Sequence, residues 1–381
     1  KDQGKLDEAL EAYKKVISIN PNYVLAHSNV GNIFKNQGKI DKAIESYDKA
    51  ISIKPDHADA HLSLSNALLN CGRIEEGLNE YEWRWKTSNF LSMNRQFSKP
   101  LWDGKNSLHN KKLLLWCEQG VGDTISWSSN LSIISSQADR CILECQEKLV
   151  PLLKRSFPGI EVKPENRNFD LKRNDFDFHL PMGSIYKHII REISPKNKPK
   201  AFLLPDPTRV KFWKKRLSFL GQGPYIGISW KSSNMSPNRL PNYTSISDWS
   251  PVLKIPNVTF INLQHINFKD DLAKIKNKFG VKVHNFDDLD QFNNIDDIAA
   301  LYAALDMVVS IQSSVPLISA GVGTLTKLAS WKQSQWNNIM HNPVGPFIDI
   351  FGRNTRESWE KVFNLIAKDI CKQIKKKEFY E

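Results

Sequence analysis

No stretch of these 381 residues approaches the roughly 18–20 consecutive apolar residues needed to cross a bilayer, so no membrane span is expected. Glycine and proline are sparse, at 18 and 19 residues, and 40% of the chain is hydrophobic against 25% charged. That balance excludes a collagenous, low-complexity or disordered chain. Cysteine is scarce as well, five residues in all, scattered and odd in number. Cys141 and Cys145 share one face of an apparent strand, RCILEC, but lie about 13 Å apart along it, which suits neither a disulfide nor a zinc site. Reduced thiols in a cytoplasmic protein are the economical reading. What the chain does have is positive charge, +12 overall and unevenly placed. Residues 1–85 hold 11 basic and 13 acidic side chains; the remainder holds 42 and 28. A basic second part suits an anionic ligand or a solvated surface. The lysines at 372, 375, 376 and 377 fit the C-terminal end of a helix.

The length predicts two or three domains, and the first of them is repetitive. Gly4, Gly38 and Gly72 recur every 34 residues, as do Tyr13, Tyr47 and Tyr81, Pro21 and Pro55, and the pairs Ala26–His27 and Ala60–His61. This pattern resembles the tetratricopeptide repeat, a helix–turn–helix unit whose stack offers a groove to a protein partner. His27, His61 and the tyrosines are expected to pack. The stack opens on Lys1 within a unit, so sequence upstream of it is expected. A bridge from Trp83 to Leu108, rich in aromatics, reads as the helix that docks the repeats on the next domain, ahead of a nucleic-acid stacking platform.

From Lys111 the pattern alternates strand and helix. Strands are expected at Lys112–Trp116, Cys141–Cys145 and Phe176–Leu180, with helices from about Thr124 and over 146–157. A Pro- and Lys-rich linker covers 196–207. Strands at Tyr225–Trp230, Val258–Leu263, Val281–His284 and Met307–Ile311 follow, separated by helices over 208–219, 268–279 and 296–305. Two such series predict two Rossmann-like domains facing across a cleft, with boundaries at 1–85 (repeats), 86–110 (bridge), 111–205 and 206–381.

Open parallel sheets bind ligands beyond the carboxyl ends of their strands. The first end carries Glu118-Gln119-Gly120-Val121-Gly122-Asp123, where two glycines permit close backbone approach and Asp123 serves as helix cap or base. The second carries Lys231 and Ser232, with Ser233 and Arg239 beyond, suited to a phosphate. Gln264 ends the third and can read a base or ribose through its amide. At the fourth, Gln312, Ser313, Ser314 and Pro316 open a helix, with Ser314 as its N-cap and a diphosphate as its natural guest. Asp175-Phe176-Asp177 and Asp288-Leu289-Asp290 match a cation-binding string that chance produces often, and Asp296–Asp297 reads as a helix cap; no metal is assigned.

These elements together (repeats, LLLWCEQGVGDTI, YIGISWKSS and DDIAALYAALDMVVSIQSSVPLISAGVG) resemble bacterial repeat-bearing glycosyltransferases related to the heptosyltransferases. The resemblance implies a GT-B fold and inverting, metal-independent transfer from a nucleotide sugar. It gives Asp123 as the candidate catalytic base; with that, Gln119, Gly120 and Gly122 are read as the acceptor-side loop, and the strand-end residues Lys231, Ser232, Gln264, Gln312, Ser313 and Ser314 as donor contacts. Leu317 stands where relatives often carry His, and Gln312 where an acid is common. The fold class expected is thus an α-helical tetratricopeptide solenoid followed by a GT-B pair, needing no cofactor beyond the co-substrate. Its expected partners are a nucleotide sugar, a protein or glycan acceptor and a protein in the groove, with no nucleic acid. The alternative is a non-catalytic scaffold with a degenerate transferase domain.

Overall fold

The computed structural model of the chain describes residues 2–166, 172–192, 200–232, 242–331, 347–353 and 357–378. Five helices come first: α1 (Asp2–Ile19), α2 (Val24–Asn36), α3 (Ile40–Ile53), α4 (Ala58–Asn70) and α5 (Ile74–Tyr81), each packed on the next. Gly38 and Gly72 sit between helices at φ +79° and +86°, the left-handed region open to glycine without strain, which is why they keep the period. His27 Nε2 donates to the Pro21 carbonyl at 2.8 Å, and His61 Nε2 to that of Pro55 at 2.9 Å. The period of Pro and His is therefore one repeated bond that ties a helix to the turn before it.

The aromatic side chains of the bridge pack against the repeats and the first sheet. A 3₁₀ turn over Glu82–Lys86 precedes α6 (Ser88–Leu91). Trp83 stacks on His61 at 3.8 Å, Trp85 lies 5.5 Å from Trp116, and Trp102 is buried. Leu101 then bridges to His179 at the edge of the first sheet.

That sheet comprises β1 (Lys112–Trp116), β2 (Arg140–Cys145), β3 (Ile160–Pro164) and β4 (Phe178–Pro181), all parallel, in the order β3-β2-β1-β4. Its helices are α7 (Val121–Ser128), α8 (Leu131–Ser135), α9 (Val150–Ser156) and α10 (Ile185–Ile189). After α11 (Pro207–Ser218) comes a second series: β5 (Tyr225–Ser229), α12 (Ser250–Leu253), β6 (Thr259–Asn262), α13 (Lys269–Phe279), β7 (Val283–His284), α14 (Ile295–Ala304), β8 (Met307–Ile311), α15 (Ser314–Gly321), β9 (Leu325–Trp331), β10 (Ile348–Arg353) and α16 (Trp359–Glu378). These strands are parallel in the order β10-β9-β8-β5-β6-β7. Counted from β5, that is the 3-2-1-4-5-6 order of a dinucleotide-binding fold. The first sheet lies within 111–205 and the second within 206–381. Their carboxyl ends face one another, as Lys148 beyond β2 bonding the Phe292 carbonyl at 3.0 Å illustrates. This is the GT-B arrangement.

Several elements correct the sequence reading. Strands β3, β9 and β10 were not expected. Edge strands β3 and β10 are only partly buried, and β9 hides a lysine, so none shows a clean apolar run. Lys327 on β9 is fully buried and pairs with Asp349 on β10 and Asp369 on α16. The helix expected over 146–157 shortens to α9, because Glu147–Leu149 form a 3₁₀ turn and Pro151 sits in the first helical turn. The third strand falls at 178–181 in place of 176–180, and β7 keeps only two residues. Of the expected linker, residues 196–199 lie outside the described residues. From Phe202 the chain runs along α15, both Phe202 and Leu203 donating to the Gly321 carbonyl at 3.0 Å.

One apolar core runs from Leu69 and Leu78 of the repeats through Leu113 and Leu115 of β1 to Leu301 of α14 and Val315, Leu317 and Ile318 of α15. Another fills the opposite face of the second sheet beneath α12 and α16, around Trp249, Phe260 and Phe363. Each such side chain contributes about 1.5–3 kcal/mol by leaving water, and the first core joins all three units.

Candidate active site at the facing strand ends

Beyond β1, Gly120 is the N-cap of α7, and its N–H donates to Asp123 Oδ2 at 3.2 Å. The helix thus starts at Val121, earlier than expected, and Asp123 stands in its first turn, half-buried. Gly120 has no side chain, so this is a one-sided capping bond. Gln119 spans two neighbours: its amide donates to the Tyr81 hydroxyl at 3.2 Å and its carbonyl accepts from Gln146 at 2.7 Å. Gln146 in turn accepts from Thr124 at 3.1 Å.

Glu118 is buried. It accepts from Arg84 Nε at 3.1 Å and Nη2 at 2.9 Å, and from the Gly183 N–H at 3.3 Å. A Cβ at Gly183 would stand 2.2 Å from a Glu118 oxygen, so only glycine fits there. Burial pushes the Glu118 carboxyl up to about 7, against the pull of Arg84. Arg84, also fully buried, donates to Glu82 at 2.7 Å and Ser184 at 2.8 Å, and its guanidinium lies 4.3 Å from the Tyr81 ring centre.

On the facing unit, Ser229 pairs with Ser310 and Ile228 with Asn262, so Lys231, Gln264 and Gln312 leave the sheet within one residue of the same level. Gln264 is buried. Its Oε1 accepts from Lys231 N at 2.9 Å and Ser229 Oγ at 3.3 Å, while its Nε2 has no partner among the described residues. His265 Nε2 and Gln291 Oε1 are likewise buried without partners. Burial, and then Lys148, lower the His265 pKa. The Lys231 amine turns to Asp271, which also accepts from Trp230 Nε1 at 2.9 Å. Burial would raise Asp271, but the Lys231 and Trp230 bonds together with nearby lysine charge hold it below the usual range. Ser232 is buried; Ser233 and Arg239 lie outside the described residues. The N-cap of α15 is Ser313, whose Oγ accepts from Val315 N at 3.3 Å; this corrects the expectation of Ser314, which is the first helical residue.

The two helix starts meet. A Cβ on Gly122 would stand 3.4 Å from Leu317 Cδ1 and 3.5 Å from Ser314 Cα. The structure therefore brings Gly122 of the EQGVGD loop against Ser314, with Gly120, Asp123 and Ser313 beside them in sequence, whereas the Lys231 amine points into its own unit. Leu317 packs beside Gly122 at this contact.

The acidic strings are engaged elsewhere. Asp288 pairs with Arg216 at 2.6 Å, Asp290 accepts the Phe292 and Asn293 amides at 2.9 Å, Asp175 pairs with Arg173 at 2.9 Å, and Asp177 accepts from Lys112 N at 2.8 Å. Asp296 and Asp297 do not cap α14. Asn294 does, and the two aspartates bind Arg155 and Arg209, both at 2.7 Å. Among the described residues no group of three His, Cys, Asp or Glu could hold a metal.

Glu118, Arg84 and Tyr81 escaped the sequence reading as a set. Arg84 and Glu118 lie 34 residues apart in different units, so no local spacing joins them. The one available signal is an acid placed directly after an apolar strand.

The family model for the TPR repeat matches residues 1–38 and 31–72. The solenoid is a tetratricopeptide array. Protein FlbA of Caulobacter vibrioides is 30% identical over 288 residues, 70% of this chain and 47% of that protein. The chain thus spans about half the length of this curated relative. Among solved structures, a glycosyl transferase family 9 protein from Veillonella parvula superposes with TM-score 0.49 at 10% identity, over 69% of this chain and 92% of its own. The ADP-heptose lps heptosyltransferase II of E. coli gives 0.48 at 11%, over 69% and 99%. A mutant O-GlcNAc transferase from Thermobaculum terrenum gives 0.37 at 11%, over 98% and 88%. The fold assignment rests on the strand order within this chain. Among the described residues no helix is long and apolar enough to cross a membrane.

Proposed function

We propose that the chain is a glycosyltransferase that moves a sugar from a nucleotide-activated donor to an acceptor with inversion and without metal. The observation that carries this reading is the meeting of two helix N-termini at the facing strand ends, one bringing Asp123, the other Ser313 and Ser314 with no acid in its first turn. Such a helix start favours a diphosphate through its free N–H groups. Asp123 takes the acceptor hydroxyl proton as the new C–O bond forms at the anomeric carbon. The bond to the diphosphate oxygen breaks on the opposite face, and the nucleoside diphosphate leaves with the electron pair. Gln264, with its unpartnered amide, reads the base or ribose; Ser232 and Gln312 complete the donor side, and Lys231 turns from Asp271 to the phosphate. Gln119, Gly120 and Gly122 wall the acceptor side. Fixed dipoles take the place of a cation, a reading supported by the Arg and backbone partners that occupy both acidic strings, and no cofactor is required beyond the co-substrate.

The repeats, mildly acidic, hold a neutral or basic protein partner or acceptor. Five unpaired thiols suit the reducing cytoplasm. The bridge aromatics are spent on packing, which speaks against a nucleic-acid partner. The test is transfer from a panel of nucleotide sugars alongside binding of the matching diphosphates. A scaffold with a degenerate domain is the second reading, favoured by Leu317 against Gly122 and by the Lys231–Asp271 pair. Failure of every diphosphate to bind would establish it.

A further inference from the structure

We infer that the tetratricopeptide array is part of the reaction centre, with Arg84 and Tyr81 acting as positioning residues for the loop that carries Asp123. This inference rests on the transferase reading of that loop. Within the loop Glu118–Asp123, which contains two glycines, the Gly120 N–H bonds Asp123 and the Gly120 carbonyl accepts from Thr124, and neither bond reaches the Glu118 or Gln119 side chain. Its first two residues are fixed from the solenoid side. Glu118 is gripped by Arg84 through two bonds, and Gln119 by the Tyr81 hydroxyl at 3.2 Å. Gln146, just beyond β2, braces it by donating to the Gln119 carbonyl while accepting from Thr124 of α7. Arg84 is itself anchored at Glu82 and Ser184 and lies against the Tyr81 and Trp85 rings, so its guanidinium has no other place to go. A peptide adaptor needs no such coupling. An array that merely delivered an acceptor would meet the α/β region through apolar contacts like those of Leu69 and Leu78, and these are present as well. Motion of the last repeat on loading its groove therefore reaches the Asp123 loop through two side chains.

The test uses the full chain with Tyr81→Phe, which deletes one acceptor oxygen and keeps the ring, and Arg84→Lys, which keeps the charge and loses the fork. Backbone hydrogen exchange is read at Gly120 and Thr124, together with kcat and donor KM. Exchange at those amides should rise about tenfold, the worth of one lost hydrogen bond, while the amides of β1 stay as in the wild type. Turnover should fall while donor KM holds, with Arg84→Lys retaining more turnover than Arg84→Met. Unchanged exchange at Gly120 and Thr124, with only the unfolding midpoint lowered, would overturn the inference and leave Arg84 a fold clamp. Should the wild type transfer no sugar, the exchange measurement still decides the coupling, and the two failures remain distinct.

Discussion

The molecule has two polar junctions of opposite character. Between the repeats and the first sheet, Arg84 and Glu118 have fully buried side chains, both at 0% exposure. Between the first sheet and the second, Arg155 and Asp296 remain 30% and 23% exposed. Breaking a buried pair strands a charge and costs about 3–5 kcal/mol, whereas a solvated pair contributes about 0–1 kcal/mol. The difference lies in the polar contacts alone: the pair between the solenoid and the first sheet is buried and the pair between the two sheets is part-exposed, beside an apolar core that runs across both junctions.

The largest expected effect lies at Asp123, the proposed base. Asp123→Asn keeps an acceptor for the Gly120 N–H and loses proton acceptance, so turnover should drop by about 10²–10⁴-fold with little change in nucleotide affinity, measured by transfer rate and calorimetry. Next comes the closed junction. Arg84→Ala should lower unfolding free energy by about 3–5 kcal/mol in denaturant titration, because Glu118 is left buried without its cation. Gly183→Ala, whose new methyl meets a Glu118 oxygen, should cost about 1–3 kcal/mol in the same titration.

The pH dependence sharpens the comparison. Burial raises Glu118 from 4.5 to about 7, so the folded chain binds a proton that the unfolded chain has released. This group's contribution is therefore most favourable below 4.5 and is lost as pH rises to about 7. Glu118→Gln should flatten stability between those values, as followed by unfolding midpoints across that range. The smallest effect belongs to the open junction, where Arg155→Ala should change stability by no more than about 1 kcal/mol. A loss as large as that of Arg84→Ala would erase the distinction.

Much of the architecture was legible because it repeats or alternates. The 34-residue period gave the solenoid, and buried runs such as KLLLW and MVVSI gave the central strands, whose two covered faces favour a near-continuous apolar run. Edge strands β3 and β10 were hidden by partial burial, and β9 by Lys327, whose charge is matched by residues 22 and 42 positions later. The loops of the candidate site were found as strand ends followed by small residues. The fixtures of the first loop were not, since Arg84 and Tyr81 reach it from another unit. Which serine caps α15, and where the Lys231 amine points, depend on backbone angles and on Asp271 across the sheet edge, and neither leaves a local pattern.

The central claim is that a nucleoside diphosphate seats at the start of α15, opposite Asp123. Titration calorimetry of a panel of nucleoside diphosphates into wild type, Asp123→Asn and Ser314→Ala tests it most directly. The account predicts that one member binds the wild type and Asp123→Asn alike and binds Ser314→Ala about tenfold or more weakly, as loss of a hydrogen bond to a charged group requires. Equal binding to wild type and Ser314→Ala, or no binding by any member of the panel, would contradict it.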